Sequence, residues 1–431
     1  MLEDILVTLT RITGAYFFAG FLYNLGLMYE YRLFKGYKKE QEYMNVNFNE
    51  APKTTRIAVM IPAFKEENVI GRTLDFLIKA SEAYDPRLVK IYVGTYPNDP
   101  GTRKIVKQYE RLYPIVEEVV NSKNGPTTKA QNLNNIYSHV NKAFEIVGIH
   151  DAEDFIPNNI LLATNYYYQK IKDNDKIAGI QFAVRAKKDN LSLTNLMYLL
   201  MFRFNNLFLT ARSGKSFIPS HGTATYYKQS DLELIKNSRG YIWDEKNFTE
   251  DFELSLYKYF HLGKTLIYVP YPYVEEYFPS SWKRSIKQIA RWQYGNIQAL
   301  KKHFLYILKK SKLVEDLIYS SSFGFYSLSL FWILMIPSML ITALFNMHTN
   351  YTPLENIVYT INTFNGIRWM SEGIYLIEKL KLNDEKNTLK RISKNILFPV
   401  FSSFISSSAN IYMIKRYLLT KNKIWSKTEH K

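Results

Sequence analysis

Residues 56–65 read RIAVMIPAFK, a run without internal charge between two cations. It is long enough for one strand and too short for a helix of ordinary length, so it reads as a buried strand ending in a turn. Two similar runs follow at 88–95, LVKIYVGT, and at 146–150, IVGIH, the second leading straight into acidic residues. Helical patterns separate the runs. Strands alternating with helices imply an α/β chain with a mostly parallel sheet covered by helices. In such sheets ligands sit beyond the carboxyl ends of the strands. The residues that follow each run are therefore where chemistry is expected.

The chain has 431 residues, 56 Lys and Arg against 39 Asp and Glu, and no Cys. The missing cysteines exclude a disulfide scaffold, a thiol nucleophile and a Cys-ligated zinc site. A hydrophobic fraction of 47% excludes a disordered chain. The net charge of +17 fits nucleic acid, an anionic membrane face or a phosphorylated substrate. There is no GxGxxG fingerprint, and the seven His residues form no HxxxH pair, which argues against a zinc hydrolase.

Four apolar stretches flank the α/β region. Residues 5–29 are long enough to span a bilayer, which takes ~20 residues, and Arg32, Lys35, Lys38 and Lys39 follow them. The positive-inside bias then places the next segment in the cytoplasm. Residues 317–345 form the most apolar stretch, without a charge after Asp316. Residues 354–377 carry Glu355, Arg368 and Glu372, so this helix lines a channel or lies in the interface. Residues 396–414 hold five Ser, suited to close helix packing. The loop 379–394 and the tail 415–431 each hold six basic residues with one apolar stretch between them. Two true crossings after the soluble region are expected, with 354–377 as the doubtful one. The expected divisions are a transmembrane helix at 1–31, a basic linker at 32–55 and an α/β domain at 56–280. Amphipathic interface helices at 281–316, membrane or interface helices at 317–414 and a basic cytoplasmic tail at 415–431 complete the chain.

The third run ends in HDAED, with Asp151, Glu153 and Asp154 in four positions. Residues two apart share a side in an extended chain, so Asp151 and Glu153 can converge on one ion, and hard oxygen ligands suit Mg2+ or Mn2+. A solvated turn with capping acids is the plainer alternative. Thr249, Glu250 and Asp251 open a helical pattern in which Thr249 serves as N-cap and Glu250 suits the first turn; Asp251 is the candidate general base. Gln288, Arg291 and Trp292 lie three and four apart on one helix face. Arg291 suits phosphate oxygens and Trp292 offers a plane to a sugar, while a membrane-surface helix is the competing account. Lys129, in GPTTKA, is a cation for a diphosphate.

Taken together, the chain resembles the membrane-bound family-2 glycosyltransferases, the group of cellulose, chitin and hyaluronan synthases. The resemblance rests on residues 61–68, 93–100, 125–134 and 220–228, on HDAED, TED and QIARW, and on WSKTEH at 425–430. It covers roughly residues 55–300 with the flanking apolar stretches. Asp151 and Asp251 stand 100 residues apart and Asp251 and Gln288 stand 37 apart; order and separation make the set specific. The resemblance implies a cytosolic GT-A domain that binds a nucleotide sugar, with a UDP-sugar the expected donor, and inverts the anomeric carbon. It implies that Glu66 and Asp99 hold the base and ribose, and that Lys129 lies near the diphosphate. It further implies that Asp151 with Glu153 or Asp154 binds Mg2+ or Mn2+, that Asp251 beside Glu250 is the catalytic base, and that Gln288, Arg291 and Trp292 form the motif of processive synthases. Lys65 stands where the family often has Asn, and Glu153 stands where its metal motif has a second Asp.

The expected function is processive synthesis and export of an extracellular polysaccharide by a multi-pass plasma-membrane enzyme with its catalytic domain in the cytoplasm. The expected partners are the nucleotide-sugar donor, a polysaccharide or lipid-linked acceptor, membrane lipids and an accessory export or regulatory subunit. Two alternatives stand beside it: a transferase adding a single sugar to a lipid carrier, and a catalytically idle receptor of the same fold. Nucleic acid is not an expected partner, because the basic residues crowd the flanks of the apolar stretches.

Overall fold

The computed structural model describes residues 32–187, 192–214, 216–310, 405 and 408–419. The apolar stretches 5–29, 317–345 and 354–377, the loop 379–394 and the motif at 425–430 lie outside the described residues. Of 396–414 only residue 405 and residues 408–414 are described. Among the described residues, no helix is long and apolar enough to cross a membrane.

Seven strands form one sheet: β1 (Ile57–Pro62), β2 (Val89–Thr95), β3 (Val116–Val120), β4 (Ile146–Ile149), β5 (Ile177–Ala186), β6 (Thr225–Lys228) and β7 (Thr265–Glu276), in the order β3-β2-β1-β4-β6-β5-β7. The three runs anticipated from the sequence are β1, β2 and β4. β1 pairs in parallel with β2 and β4, β2 with β3, and β5 with β7. β6 runs antiparallel to both of its neighbours, with Ile149 opposite Thr225. That reversal matters for function, because it brings the residues preceding β6 to the carboxyl end of β4.

Alternate residues of β1 feed two cores. Ile57, Val59 and Ile61 join one apolar cluster with the helices α2 (Ile70–Tyr84) and α5 (Ile160–Ile171). Ala58 and Met60 join the other, with α4 (Lys129–Tyr137), α7 (Gln229–Arg239) and α8 (Glu250–Leu256). Helices thus cover both faces, as the strand–helix alternation demands. The helix α3 (Pro100–Leu112) connects β2 to β3, and α6 (Leu193–Arg212) follows β5.

A third apolar cluster joins α6 to the 29-residue helix α9 (Trp282–Lys310) and to Ile405, Ala409, Met413 and Tyr417, where Tyr294 stacks on Tyr417 with ring centroids 4.9 Å apart. The helix α1 (Arg32–Met44) is fixed to the body by Glu40. This buried carboxylate accepts hydrogen bonds from Arg185 on β5 and Arg203 on α6.

Candidate active site

The carboxyl ends of β1, β2 and β4 and the loop before β6 meet at one edge of the sheet. β4 ends in a turn rather than extended chain, so the two-residue alternation expected for HDAED does not hold. Asp154 turns into the core, fully buried. Its Oδ2 accepts hydrogen bonds from Thr223 Oγ1 at 2.6 Å and from the Asp151 amide at 3.2 Å, and it contacts His150 Nδ1 at 2.8 Å. His150 Nε2 in turn meets the Tyr226 hydroxyl at 2.8 Å. Burial raises the Asp154 pKa, against the pull of His150. Asp154 is therefore the strut of a buried network that shapes the turn. Asp151 and Glu153 remain half-buried.

Lys129 is the first residue of α4, whose N-cap Thr128 accepts from the Gln131 amide. Its ammonium donates to Asp151 Oδ1 and, at 3.0 Å, to the Gly222 carbonyl. Burial opposes its charge, but Asp151, Glu250 and Asp251 outweigh burial and raise its pKa. Gly222 has φ +77°, a left-handed conformation, and a Cβ there would stand 3.1 Å from Asp251 Oδ2 and 3.5 Å from Lys129 Nζ. Only glycine both adopts this backbone and leaves that space open. Gly222 thus lies at the junction of the three functional side chains.

Glu250 and Asp251 open α8, where the helix dipole favours negative charge. Thr249 holds the N-cap position, but its side chain does not cap the helix; its hydroxyl bonds to Asn296 Oδ1 at 3.2 Å instead. Burial, then the neighbouring Asp251, push the Glu250 carboxyl up to about 7, while Lys129 and Arg291 pull the other way. Burial also raises Asp251, against the Phe252 amide, Lys129 and Arg291. A raised carboxylate beside two cations is the electrostatic arrangement of a proton acceptor.

Arg291 reaches the Phe248 carbonyl at 3.5 Å, and among the described residues its buried Nε has no hydrogen-bond partner. Gln288 is closed off between helices, accepting from the Tyr198 hydroxyl at 2.7 Å. Trp292 is half-buried and edge-on to the same Tyr198 ring at 6.5 Å. Arg291 is thus the member of this trio that acts electrostatically on Glu250 and Asp251.

Asp99 caps α3 and is nearly buried. Its Oδ2 accepts from the Lys65 amide at 2.6 Å and its Oδ1 from the Thr102 amide at 3.3 Å. Lys65 has φ 56°, a region where Asn is tolerated better than most residues. The Asn expected there and the Lys found there thus meet the same backbone demand, with Asp99 holding the turn. The Glu66 amide bonds to Thr102 Oγ1 at 2.8 Å, and the Glu66 side chain is half-buried beside this turn.

Two participants escaped the sequence reading. Gly222 carried no signal apart from its place in SHGTA. Glu276, at the end of β7, is nearly buried, and its pKa is raised well above the usual carboxylate range, by burial first and then by Asp154, Asp151 and Glu153. Its only local signal was its position at a strand end.

Oxygen donors of the right chemistry for a divalent ion are present in Asp151 and Glu153. Among the described residues, no group of three His, Cys, Asp or Glu is arranged to hold a metal ion. Asp151 and Glu153 supply two such donors, and the Asp151 carboxylate is also paired with Lys129.

A family model described as "Glycosyltransferase like family 2" matches residues 52–295, more than half of the chain. The chain is 28% identical over 303 residues to "Bacteriophage adsorption protein B" of Escherichia coli (strain K12), covering 61% of this chain and 39% of that protein. This chain thus spans about two fifths of that relative. It is 25% identical over 430 residues to "Probable glycosyltransferase YdaM" of Bacillus subtilis (strain 168), covering 95% and 94% of the two. Among solved structures, the mannosyltransferase PcManGT from Pyrobaculum calidifontis, in complex with GDP-Man and Mn2+, superposes with a TM-score of 0.55 at 15% identity. That superposition covers 96% of this chain and 99% of that one. This likeness is one of fold, and it is the GT-A fold expected from the sequence.

Proposed function

Because the chain belongs to the glycosyltransferase-like family 2, we propose that it moves a sugar from a nucleotide-diphosphate sugar to an acceptor hydroxyl with inversion. The observation that carries this reading is the meeting of Lys129, Asp151 and Asp251 around Gly222, with Arg291 close enough to act on Asp251.

Asp251 takes the proton of the acceptor hydroxyl as its oxygen forms the new bond to the anomeric carbon. The bond from that carbon to the diphosphate oxygen breaks, and the electron pair leaves with the nucleotide diphosphate. Lys129 and Arg291 face the charge that builds on this leaving group, in a partly water-excluded site where fixed charges act strongly. Asp151, with Glu153 beside it, would hold a divalent ion. Such an ion, when bound, supplies Lewis-acid neutralisation of the diphosphate. Glu66 and the Asp99-held turn lie on the nucleotide side of the cleft.

The finer reading is processive polysaccharide synthesis at the plasma membrane, with this domain on the cytoplasmic side and a UDP-sugar as donor. The supporting features are the Gln288–Arg291–Trp292 set, the four apolar stretches and their basic flanks.

The test uses the full chain in lipid or detergent with a panel of labelled nucleotide sugars, reading diphosphate release and product length. One donor is expected to turn over into long products. Asp251→Asn is expected to lower turnover by about 10²–10⁴-fold with nucleotide binding retained. Near-normal turnover in that variant, or no turnover with any donor, overturns the reading.

A further inference from the structure

The proposed base and the cation opposite it stand on different helices, Asp251 on α8 and Arg291 on α9, so something must fix their separation. The face of α9 that follows Arg291 does this through the segment preceding α8. Arg291 holds the Phe248 carbonyl, while the Phe248 amide donates to Gln298 Oε1 at 3.2 Å, so both polar groups of this residue are tied to the same helix. Between these ties lie Gly295 and Asn296. A Cβ at Gly295 would stand 2.6 Å from the Thr249 backbone nitrogen, 2.6 Å from its hydroxyl and 2.7 Å from its methyl. No side chain fits there without displacing the backbone. The Thr249 hydroxyl, free of any capping duty, bonds to Asn296. One turn further on, Lys302 and His303 reach the buried Glu253 of α8, at 2.7 and 2.9 Å.

We propose that Gly295 and Gln298 are positioning residues that set the Asp251 carboxylate against Arg291 by seating the N-terminus of α8 directly on α9. The inference rests on the reading of Asp251 as base. Its physical basis is that an approach this close fixes the distance between two groups whose interaction must be correct to within an ångström. A misplacement of ~1 Å can lower the rate by about 10²-fold.

The groups facing Asp251 are Glu250, Lys129, Arg291 and Tyr227. Of these, Arg291 is the one whose distance the clamp controls. Withdrawing it removes a charge that holds the Asp251 pKa down, so the acid limb of the pH–rate profile moves to higher pH.

The experiment compares Gly295→Ala, Gln298→Ala and Gln298→Glu with the parent chain and with Asp251→Asn. It measures kcat, donor KM, nucleotide affinity and the pH–rate profile. The expected result for Gly295→Ala and Gln298→Ala is a kcat lowered about 10- to 100-fold, donor KM and nucleotide affinity within about twofold, and an acid limb shifted upward. Gln298→Glu, which keeps the acceptor oxygen for the Phe248 amide, restores kcat. Should Gly295→Ala fail to fold, Gln298→Ala decides. A Gln298→Ala enzyme with parental kcat and pH profile, or one that loses nucleotide affinity and kcat together, overturns the clamp while Asp251→Asn stays inactive. An active Asp251→Asn overturns the base assignment itself, and the clamp with it.

Discussion

Lys129 donates from one ammonium group to the Asp151 carboxylate and to the Gly222 carbonyl, and so links the turn after β4 to the loop before β6. A cation thus stands in the acidic cleft before any substrate enters, and it lowers the pKa of both Glu250 and Asp251.

Replacing Lys129 by Met removes that cation. Nucleotide-diphosphate affinity is expected to fall by at least about tenfold, the scale of one charge-assisted hydrogen bond. The acid limb of the pH–rate profile moves up, because both carboxylates lose a charge that favours their ionised form. Calorimetric titration with the nucleotide diphosphate and kcat measured across pH check the two effects. An unchanged affinity removes Lys129 from the diphosphate site.

The two Asp residues of HDAED are expected to answer different assays. Asp151→Asn weakens Mn2+ binding in the presence of nucleoside diphosphate, read from the paramagnetic resonance signal of the free ion, and chelation by EDTA abolishes turnover. Asp154→Ala lowers the melting temperature instead. It leaves His150, Thr223 and the Asp151 amide without their shared acceptor, a loss of roughly 1–3 kcal/mol. Full activity in EDTA sinks the metal role of Asp151. An Asp154→Ala protein as stable as the parent sinks the strut.

Glu250 and Glu253 pull stability in opposite directions with pH. Burial and Asp251 raise Glu250 from an ordinary 4.5 to about 7, so the folded chain holds a proton that the unfolded chain releases. Its contribution is complete below about pH 4.5 and is lost as pH climbs through about 7. Burial would raise Glu253 too, but His303, Arg239 and Lys302 outweigh it and hold it at about 2. That contribution is complete above about pH 4.5 and is lost as pH falls toward 2. The melting temperature is expected to decline between about pH 4.5 and about pH 7 and to level off above, and Glu250→Gln to flatten that decline and raise the melting temperature on the alkaline side. A Glu250→Gln protein with the parental slope removes Glu250 as its source.

Much of this was legible in the sequence because burial writes itself into apolar runs. β1, β2 and β4 are uncharged or nearly so, and their ends point to Asp99, Asp151 and the cleft. β3, VEEVV, does not read as a strand locally, because its Glu117 and Glu118 are accommodated by Lys90 and Arg103 from elsewhere in the chain. The antiparallel sense of β6 was not legible either. Direction depends on which neighbours receive the strand, and no local pattern records that. The same cause hid the role of Asp154. Its partner Thr223 lies 69 residues away, and only their meeting turns a metal candidate into a core strut. Gly295 reads in sequence as an ordinary helical glycine until Thr249 is set against it.

The short strand β6 also has a consequence for the order in which the molecule assembles. β1 to β4 are complete by residue 149 and pair among themselves, whereas β5 pairs with β7, whose last residue is 276. Among the described residues, the four-residue β6 is the only strand that bonds to both groups. During synthesis the first group can therefore form early and wait, while long-range pairings of this kind close slowly. Lys129 and Asp151 belong to the early group, and Gly222 and Asp251 to the late one. A nascent chain thus acquires Lys129 and Asp151 before Gly222 and Asp251, and the seating of β6 brings the two halves of the cleft together.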